Sequence, residues 1–394
     1  MQYLLPLTFL FTPLYAIKIN ILGLPANFFM LWVFFVWVVF GIFLLSKNHL
    51  TNLFASIKKC EVKILYFISL FLLGSLISLF VSGINQKTLG ELLVLFVQPI
   101  SLYFIGKYLF QEFPKSRNLL ITTCYLLLGL FGLYAIVQYF TGLGLPLLFQ
   151  GNDFEPRRAV SFFAHSNFYA LWSAPILAFL IGDLWESIKN KVFSIKYLKI
   201  SAWLLGCFGL LLSLSRAGWL GLLMAALVFV FLAADKKAKQ AFFYAGLLFA
   251  IIVLFIPSTR HRLTSPLRGE KSASSRLTLW QSGITAVKQS PVFGLGLGGY
   301  SENYRLLITD QTLPDHNFPH NIFLNFWVET GILGLVGLIG IISLLIYRGL
   351  SERKNILKLS VALFLIALLT QGQLDNPYLK NDLAAVFWIV LALV

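Results

Sequence analysis

The chain has 394 residues, of which 58% are hydrophobic and only 12% are charged. A chain this apolar cannot form a soluble globule, because it lacks the polar residues that would cover such a surface. The net charge is +15, but basic residues that flank apolar segments follow from membrane topology and anionic lipid headgroups. The charge therefore does not indicate nucleic-acid binding.

Apolar runs of roughly 18 or more residues predict membrane-spanning helices, because only a helix pairs every backbone amide within lipid. The sequence contains about twelve such runs. The first lacks the features of a removed signal peptide and is predicted to be a retained helix. The last is still apolar at Val394, which leaves open whether the natural protein continues beyond it. The predicted spans are residues 3–22, 26–46, 64–82, 89–110, 119–140, 159–182, 198–214, 216–234, 240–257, 321–347, 357–374 and 380–394.

Basic residues concentrate in alternate connections between these runs, which the positive-inside rule places in the cytoplasm. Those five connections hold 18 of the 31 Lys and Arg residues. The predicted fold is therefore an all-α polytopic membrane protein. Residues 1–257 carry helices 1–9, residues 258–319 form a large outer loop, and residues 320–394 carry helices 10–12.

The outer loop has a distinct local pattern. Residues 275–289 place Leu277, Trp280, Ile284 and Val287 at three- and four-residue spacing, which predicts an amphipathic helix on the membrane surface or against the bundle. Pro291 is predicted to end it. The glycines that follow, between residues 294 and 299, predict a turn; they lack the Lys-Ser/Thr of a phosphate-binding loop.

Arginines on the outer side lie at predicted helix starts. Arg216 follows Ser215, Arg276 follows Ser275, and Arg157 and Arg158 precede the run at 159–182. A cation in the first turn opposes the helix dipole, so this repeated placement indicates an anion such as pyrophosphate. The alternatives are an interfacial arginine that reaches lipid headgroups, for Arg216, and solvated surface charges for the others.

His320 is the histidine whose position suggests a base, since it starts a long apolar helix on the outer side. A structural role for a lone histidine is the alternative. Asn321 follows it, and Glu329 lies further along the same helix, where it could face a cavity or pair inside the bundle. No spacing of His, Cys or carboxylates predicts a metal site, and no cofactor is expected.

Several segments of the chain resemble the signature of the O-antigen ligase/polymerase family. They occur in the family's order and, with the predicted topology, cover roughly residues 155–375. The matching segments are residues 214–219, residues 290–298, His320-Asn321 with residues 329–334, and Arg158 with residues 163–167.

The resemblance implies a GT-C-like, metal-independent membrane glycosyltransferase of the bacterial inner membrane, with its active site facing the periplasm. Such enzymes take a glycan from undecaprenyl pyrophosphate and transfer it to an acceptor hydroxyl, which in the ligases belongs to a lipid A core sugar. Position by position, Arg216 and Arg276 would hold the donor pyrophosphate, and His320 would orient or deprotonate the acceptor. Arg157, Arg158, Asn321 and Glu329 are further expected substrate-binding positions.

Other functions fit parts of the same pattern. An O-antigen polymerase, which joins lipid-linked repeats, shares the signature; the ligase is favoured because one outer loop dominates. A third group of relatives transfers glycans to protein serines. A transporter or flippase of an anionic solute would use arginines to bind its substrate, but it would require charges at mid-membrane that most of these spans lack.

Overall fold

The computed structural model describes residues 1–21, 24–46, 49–58, 60–151, 156–189, 193–232, 254–264 and 271–394, with isolated residues between 236 and 251. Within these ranges the chain is almost entirely helical. The helices are α1 (Leu4–Leu10), α2 (Phe28–Leu45), α3 (His49–Lys58), α4 (Val62–Val81), α5 (Gln86–Leu92), α6 (Gln98–Glu112), α7 (Lys115–Thr141), α8 (Ser166–Lys189), α9 (Phe193–Leu212), α10 (Arg216–Leu232), α11 (Pro257–Thr264), α12 (Lys271–Gln289), α13 (Gly299–Leu307), α14 (Ile322–Ser351), α15 (Ile356–Gly372) and α16 (Asn381–Leu391). Short 3-10 helices cover Thr12–Ala16 and Leu147–Phe149, a π-helical turn joins α5 to α6 at Leu93–Val97, and β1 (Lys18–Ile21) pairs antiparallel with β2 (Leu24–Asn27).

The chain divides into two compact units. The first comprises residues 1–120, 274–344 and 372–394, and the second comprises residues 121–273 and 345–371. In the second unit, buried alanines of α8, α10 and α15 alternate with larger residues such as Phe229 and Leu363. Small residues let membrane helices approach closely, which is the usual source of packing energy where lipid removes the hydrophobic effect.

The first predicted membrane helix, residues 3–22, is wrong. The structure places α1, a 3-10 helix and the β1–β2 hairpin there. Pro13 lies at the start of the 3-10 helix, where its missing N–H ends the α-helical hydrogen bonding. Residues 18–21 are Lys-Ile-Asn-Ile, in which polar and apolar residues alternate as in a strand. The mean hydropathy of residues 3–22 does not reveal this alternation.

Most of the other predicted spans coincide with helices. Six coincide with helices long and apolar enough to cross a membrane, and four with the helices at Phe193–Leu212, Arg216–Leu232, Ile356–Gly372 and Asn381–Leu391. The span at 240–257 falls mostly outside the described residues. The number of crossings and their orientation stay predictions. The long candidates are Phe28–Leu45, Val62–Val81, Gln86–Glu112, Lys115–Thr141, Ser166–Lys189 and Ile322–Ser351.

The predicted amphipathic helix is confirmed as α12, which ends at Gln289 just before Pro291. Its predicted apolar stripe is only partly right, since Leu277 and Ile284 are 58% and 44% exposed. The buried face instead carries Leu279, Ser282, Gly283, Ala286 and Val287, and it packs against α13 and α14. Small residues on that face bring the backbones close together, which a pattern built on large apolar residues does not reveal.

A break in α14 organises the first unit. Gly331 has φ 64° and ψ −170° inside the helix, so the backbone groups on either side lose their helical partners. The turn formed by residues 291–298 supplies replacements, because Leu295 N–H donates to the Val328 carbonyl at 2.7 Å and Ile332 N–H to the Val292 carbonyl at 3.0 Å. The glycine turn predicted from the sequence is therefore confirmed, and its role is to satisfy the broken helix.

Glu329 joins the same turn to α13. Its carboxylate is 6% exposed and accepts hydrogen bonds from the backbone N–H groups of Gly298 and Tyr300, at 2.5 and 3.3 Å. These N–H groups stand at the start of α13, where a carboxylate also favours the helix dipole. Of the two roles left open for Glu329, the structure describes pairing within the bundle.

Replacing Gly331 with alanine should destabilise the fold. The new Cβ would lie 2.3 Å from the Val292 carbonyl oxygen, at a φ that favours glycine, so we expect the free energy of unfolding to fall by about 1–3 kcal/mol. Thermal unfolding of the detergent-solubilised protein measures this. The control is Gly41→Ala in α2, where nothing lies within 4 Å of the added Cβ. Equal melting temperatures for the two variants would contradict the role of Gly331.

Candidate active site

His320 occupies a constrained position immediately before α14. Its backbone φ is 51°, a conformation that costs free energy for a residue other than glycine and that often marks functional sites. Two contacts with α12 hold this backbone in place. Pro319 is buried against Gly283, and the Trp280 Nε1–H donates a hydrogen bond to the His320 carbonyl at 3.3 Å. The orientation of the imidazole is thus set by α12 as well as by its own helix.

Asn321 caps α14. Its Oδ1 accepts hydrogen bonds from the backbone N–H groups of Phe323 and Leu324, at 3.0 and 3.1 Å. These are the hydrogen bonds that an N-cap side chain typically forms. Its Nδ2 lies 3.4 Å from the Gln373 carbonyl. The geometry therefore gives Asn321 a structural role, while substrate binding by this residue stays a prediction.

Asp375 is a functional candidate that the sequence reasoning missed. Its Oδ1 lies 3.1 Å from Nδ1 of His320 and also accepts a hydrogen bond from the Asn376 N–H at 2.9 Å, while the side chain is 6% exposed. Asp375 stands in the short connection between α15 and α16. A signal was available, because an ionisable residue in a short connection between apolar helices is itself a functional candidate.

The charge state of Asp375 follows from its neighbours. Burial, the largest influence, raises the pKa of this carboxyl, but the hydrogen bond and charge of His320, the Asn376 N–H and the positive charge of Arg276 together lower the pKa below its ordinary value. Asp375 is therefore an ionised partner that fixes the imidazole tautomer with its proton on Nδ1.

Arg276 lies in α12, within the unit that contains His320 and Asp375. The prediction that Ser275 starts this helix is wrong, because α12 begins at Lys271. Arg276 therefore stands beyond the first turn, and the helix-dipole argument does not apply to it. What the structure gives Arg276 instead is its favourable electrostatic interaction with Asp375.

A lysine and an aspartate at the start of α16 form another largely buried group in this unit. Lys380 Nζ lies 3.5 Å from Asp382 Oδ1 and 3.4 Å from the centroid of the Tyr15 ring. This ion pair follows Asp375 along the chain, at the start of α16.

Arg216 is the first residue of α10, as predicted. It follows a tight turn in which Leu214 has φ 54°. The carbonyl groups of this turn are engaged by guanidinium donors from elsewhere in the second unit: Arg158 Nε donates to Ser213 at 3.2 Å and Arg262 Nε to Leu214 at 3.1 Å. These contacts fix the backbone from which Arg216 projects.

Arg157 and Arg158 do not start a helix, contrary to the prediction. Helix α8 begins at Ser166, and the preceding apolar residues are held without helical geometry by the amide of Gln138, which bonds the backbone of Val160 and Ser161. Hydropathy alone cannot distinguish such a buried connection from a helix. Of the three arginine positions, only Arg216 keeps the predicted location at a helix start.

Arg157 and Arg158 have different hydrogen-bond partners. Whereas Arg158 bonds Ser213 and, at 2.9 Å, the Asn167 side chain, Arg157 donates to the carbonyl groups of Tyr139, Phe140 and Gln150 at 2.8 to 3.1 Å. Two of these carbonyls belong to the last turn of α7, so Arg157 acts as a cap for that helix.

Arg157→Ala should therefore lower stability, by about 1–2 kcal/mol for the lost hydrogen bonds to partly exposed carbonyls. The melting temperature of the purified protein measures this, with Arg353→Ala in the exposed connection before α15 as the control. A variant with unchanged melting temperature but impaired glycan transfer would instead support the predicted role of Arg157 in substrate binding.

Long apolar helices indicate a multi-pass membrane protein. Its first unit contains a histidine–aspartate pair whose carboxylate interacts favourably with Arg276. The O-antigen ligase family model matches residues 200–339, which include Arg216, Arg276 and His320. The match supports the predicted O-antigen ligase/polymerase family. Members of this family are membrane glycosyltransferase-like enzymes of the ligase or polymerase type.

A relative from Haemophilus influenzae, described as an uncharacterized protein, is 26% identical over 148 residues. The similarity covers 31% of this chain and 36% of the relative, so the matched part spans about a third of that protein's length. The activity of the whole protein is therefore argued from the site.

Proposed function

We propose that the chain is an O-antigen ligase, which moves a glycan from undecaprenyl pyrophosphate to a hydroxyl of a lipid A core sugar at the periplasmic face of the inner membrane. The observation that carries the proposal is the His320–Asp375 pair, at 3.1 Å, within a chain whose family-matched region contains His320. A buried carboxylate behind an imidazole is an arrangement suited to accepting a proton from a hydroxyl.

The pair assigns a direction to the proton. Asp375 holds the Nδ1–H of His320, so the Nε2 lone pair is left to accept the proton of the acceptor hydroxyl. The deprotonating oxygen attacks the anomeric carbon while the bond to the pyrophosphate breaks on the opposite face. This single displacement inverts the configuration at that carbon.

The leaving pyrophosphate gains negative charge in the transition state. Fixed guanidinium groups stabilise that charge more strongly than they stabilise the ground state, which lowers the barrier. We assign this role to Arg276, which interacts favourably with Asp375, and, from the sequence, to Arg216. A metal ion is not required in this scheme, because the arginines neutralise the diphosphate.

Alanine at His320, Arg216 or Arg276 should each reduce transfer by about 10²–10³-fold or more, as expected for the loss of one oriented group in such a site. The assay follows glycan transfer in membranes supplied with lipid-linked glycan, with protein amounts matched by immunoblot. Arg216→Lys should also fail, because lysine lacks the planar pair of donors. Full activity in any of the alanine variants would remove that residue from the mechanism.

Asp375→Asn should reduce the transfer rate by at least about 10²-fold, because the amide can donate to Nδ1 and reverse the imidazole tautomer. The matched control is Asp310→Asn, an exposed residue of the same unit whose carboxylate bonds Thr312, and it should leave the rate unchanged. Equal rates in both variants would show that the carboxylate near His320 has no part in transfer.

A deletion strain distinguishes ligase from polymerase. Loss of a ligase leaves no glycan attached to the lipid A core, whereas loss of a polymerase leaves single repeats attached. A glycan gel of lipopolysaccharide from the deletion strain, with and without the wild-type gene on a plasmid, reads out the difference. Single attached repeats would replace the ligase proposal with the polymerase alternative.

A further inference from the structure

A second histidine contacts the atom of His320 that proton transfer would use. Nδ1 of His316 lies 3.4 Å from Nε2 of His320, and the two rings meet edge to face with their centroids 5.3 Å apart. Since Asp375 engages the other ring nitrogen of His320, Nε2 is the position that exchanges protons. His316 is therefore next to the reacting nitrogen, at the length of a weak hydrogen bond that would shorten once charge develops.

The position of His316 is built by the fold. The Tyr304 hydroxyl donates to the Pro314 carbonyl at 2.9 Å, and Arg305 forms a 2.6 Å ion pair with Asp315, the residue before His316. Both contacts tie this segment to α13, and the Tyr304 ring lies 6.0 Å from the imidazole of His316. The two histidines thus meet because α13 holds one and α12 and α14 hold the other.

The charges around His316 keep it neutral. Burial lowers its pKa, and the positive charge of a protonated His320 lowers the pKa further. Asp315 and Asp375 oppose these effects without reversing them, and Tyr304 presents an uncharged ring. A neutral imidazole beside a protonated one can accept a hydrogen bond, so the pair is suited to holding a single proton.

We propose, on the basis of the ligase function proposed above, that His316 is a proton-relay residue that acts through His320. The acceptor O–H bond breaks and its proton binds Nε2 of His320. That proton then passes to Nδ1 of His316, while the proton on Nε2 of His316 leaves to water. One proton enters the pair and one leaves it, so the step needs no other reactant.

Two variants test the relay. His316→Gln keeps a hydrogen-bonding side chain near Nε2 but cannot exchange a proton, and His316→Phe keeps only the ring volume. With purified protein in vesicles, undecaprenyl-pyrophosphate-linked glycan and lipid A core, we expect kcat at low buffer concentration to fall about tenfold in both, with little change in the KM for the acceptor. Added imidazole should restore much of the rate, because a small base can take the relayed proton directly. His261→Gln, in α11, is the matched control and should retain the wild-type rate at every buffer concentration.

The outcomes separate this inference from the proposed function. Loss of activity that imidazole does not restore in either variant would mean that His316 only supports the structure, and wild-type rates in both would remove it from the reaction. Either result leaves the ligase proposal intact as long as the wild-type protein transfers glycan. Failure of the wild-type protein to transfer glycan would overturn both.

Discussion

The break in α14 at Gly331 is the constraint on which the first unit depends. A helix that continued through this residue would pair its own amides and leave the turn at residues 291–298 without partners. Because the helix breaks, its free carbonyl and amide groups bind that turn, and the Glu329 carboxylate caps α13. The turn that follows α12 is thereby attached to α14 through backbone hydrogen bonds, and α13 is attached to α14 through the Glu329 side chain.

The proposed chemistry depends on the same attachment. Helix α12 packs against Pro319 through Gly283, and its Trp280 side chain donates a hydrogen bond to the His320 carbonyl. Helix α13 holds the segment that ends at His316. Asp375 then enters from the connection between α15 and α16. His320 is consequently held by contacts from three separate parts of the chain, which keep its imidazole within hydrogen-bond distance of the carboxylate.

The sequence predicted most of the helices, the amphipathic α12, the glycine turn and the family, because these depend on hydropathy, periodicity and short motifs. The prediction was wrong where local hydrogen bonding decides the backbone conformation. At residues 3–22, a proline and a two-residue alternation of polar and apolar residues outweigh the high average hydropathy. At residues 159–165, the Gln138 side chain takes the place of helical hydrogen bonds. The partnership of His320 with Asp375 joins positions 55 residues apart, and no local pattern encodes such a pairing. His316 lies four residues before His320, but nothing in the sequence indicated that the two rings would meet.

The kink in α14 also divides the helix into two parts with different surroundings. Its first two turns carry the cap at Asn321 and the contacts of Glu329, whereas the longer part after Gly331 is an apolar rod suited to the hydrocarbon layer. Bilayers differ in thickness, and a spanning rod adapts by tilting. Because the turn at residues 291–298 bonds to α14 on both sides of Gly331, it holds the bend in place, and a tilt of the rod is passed on to the segment that begins at Asn321.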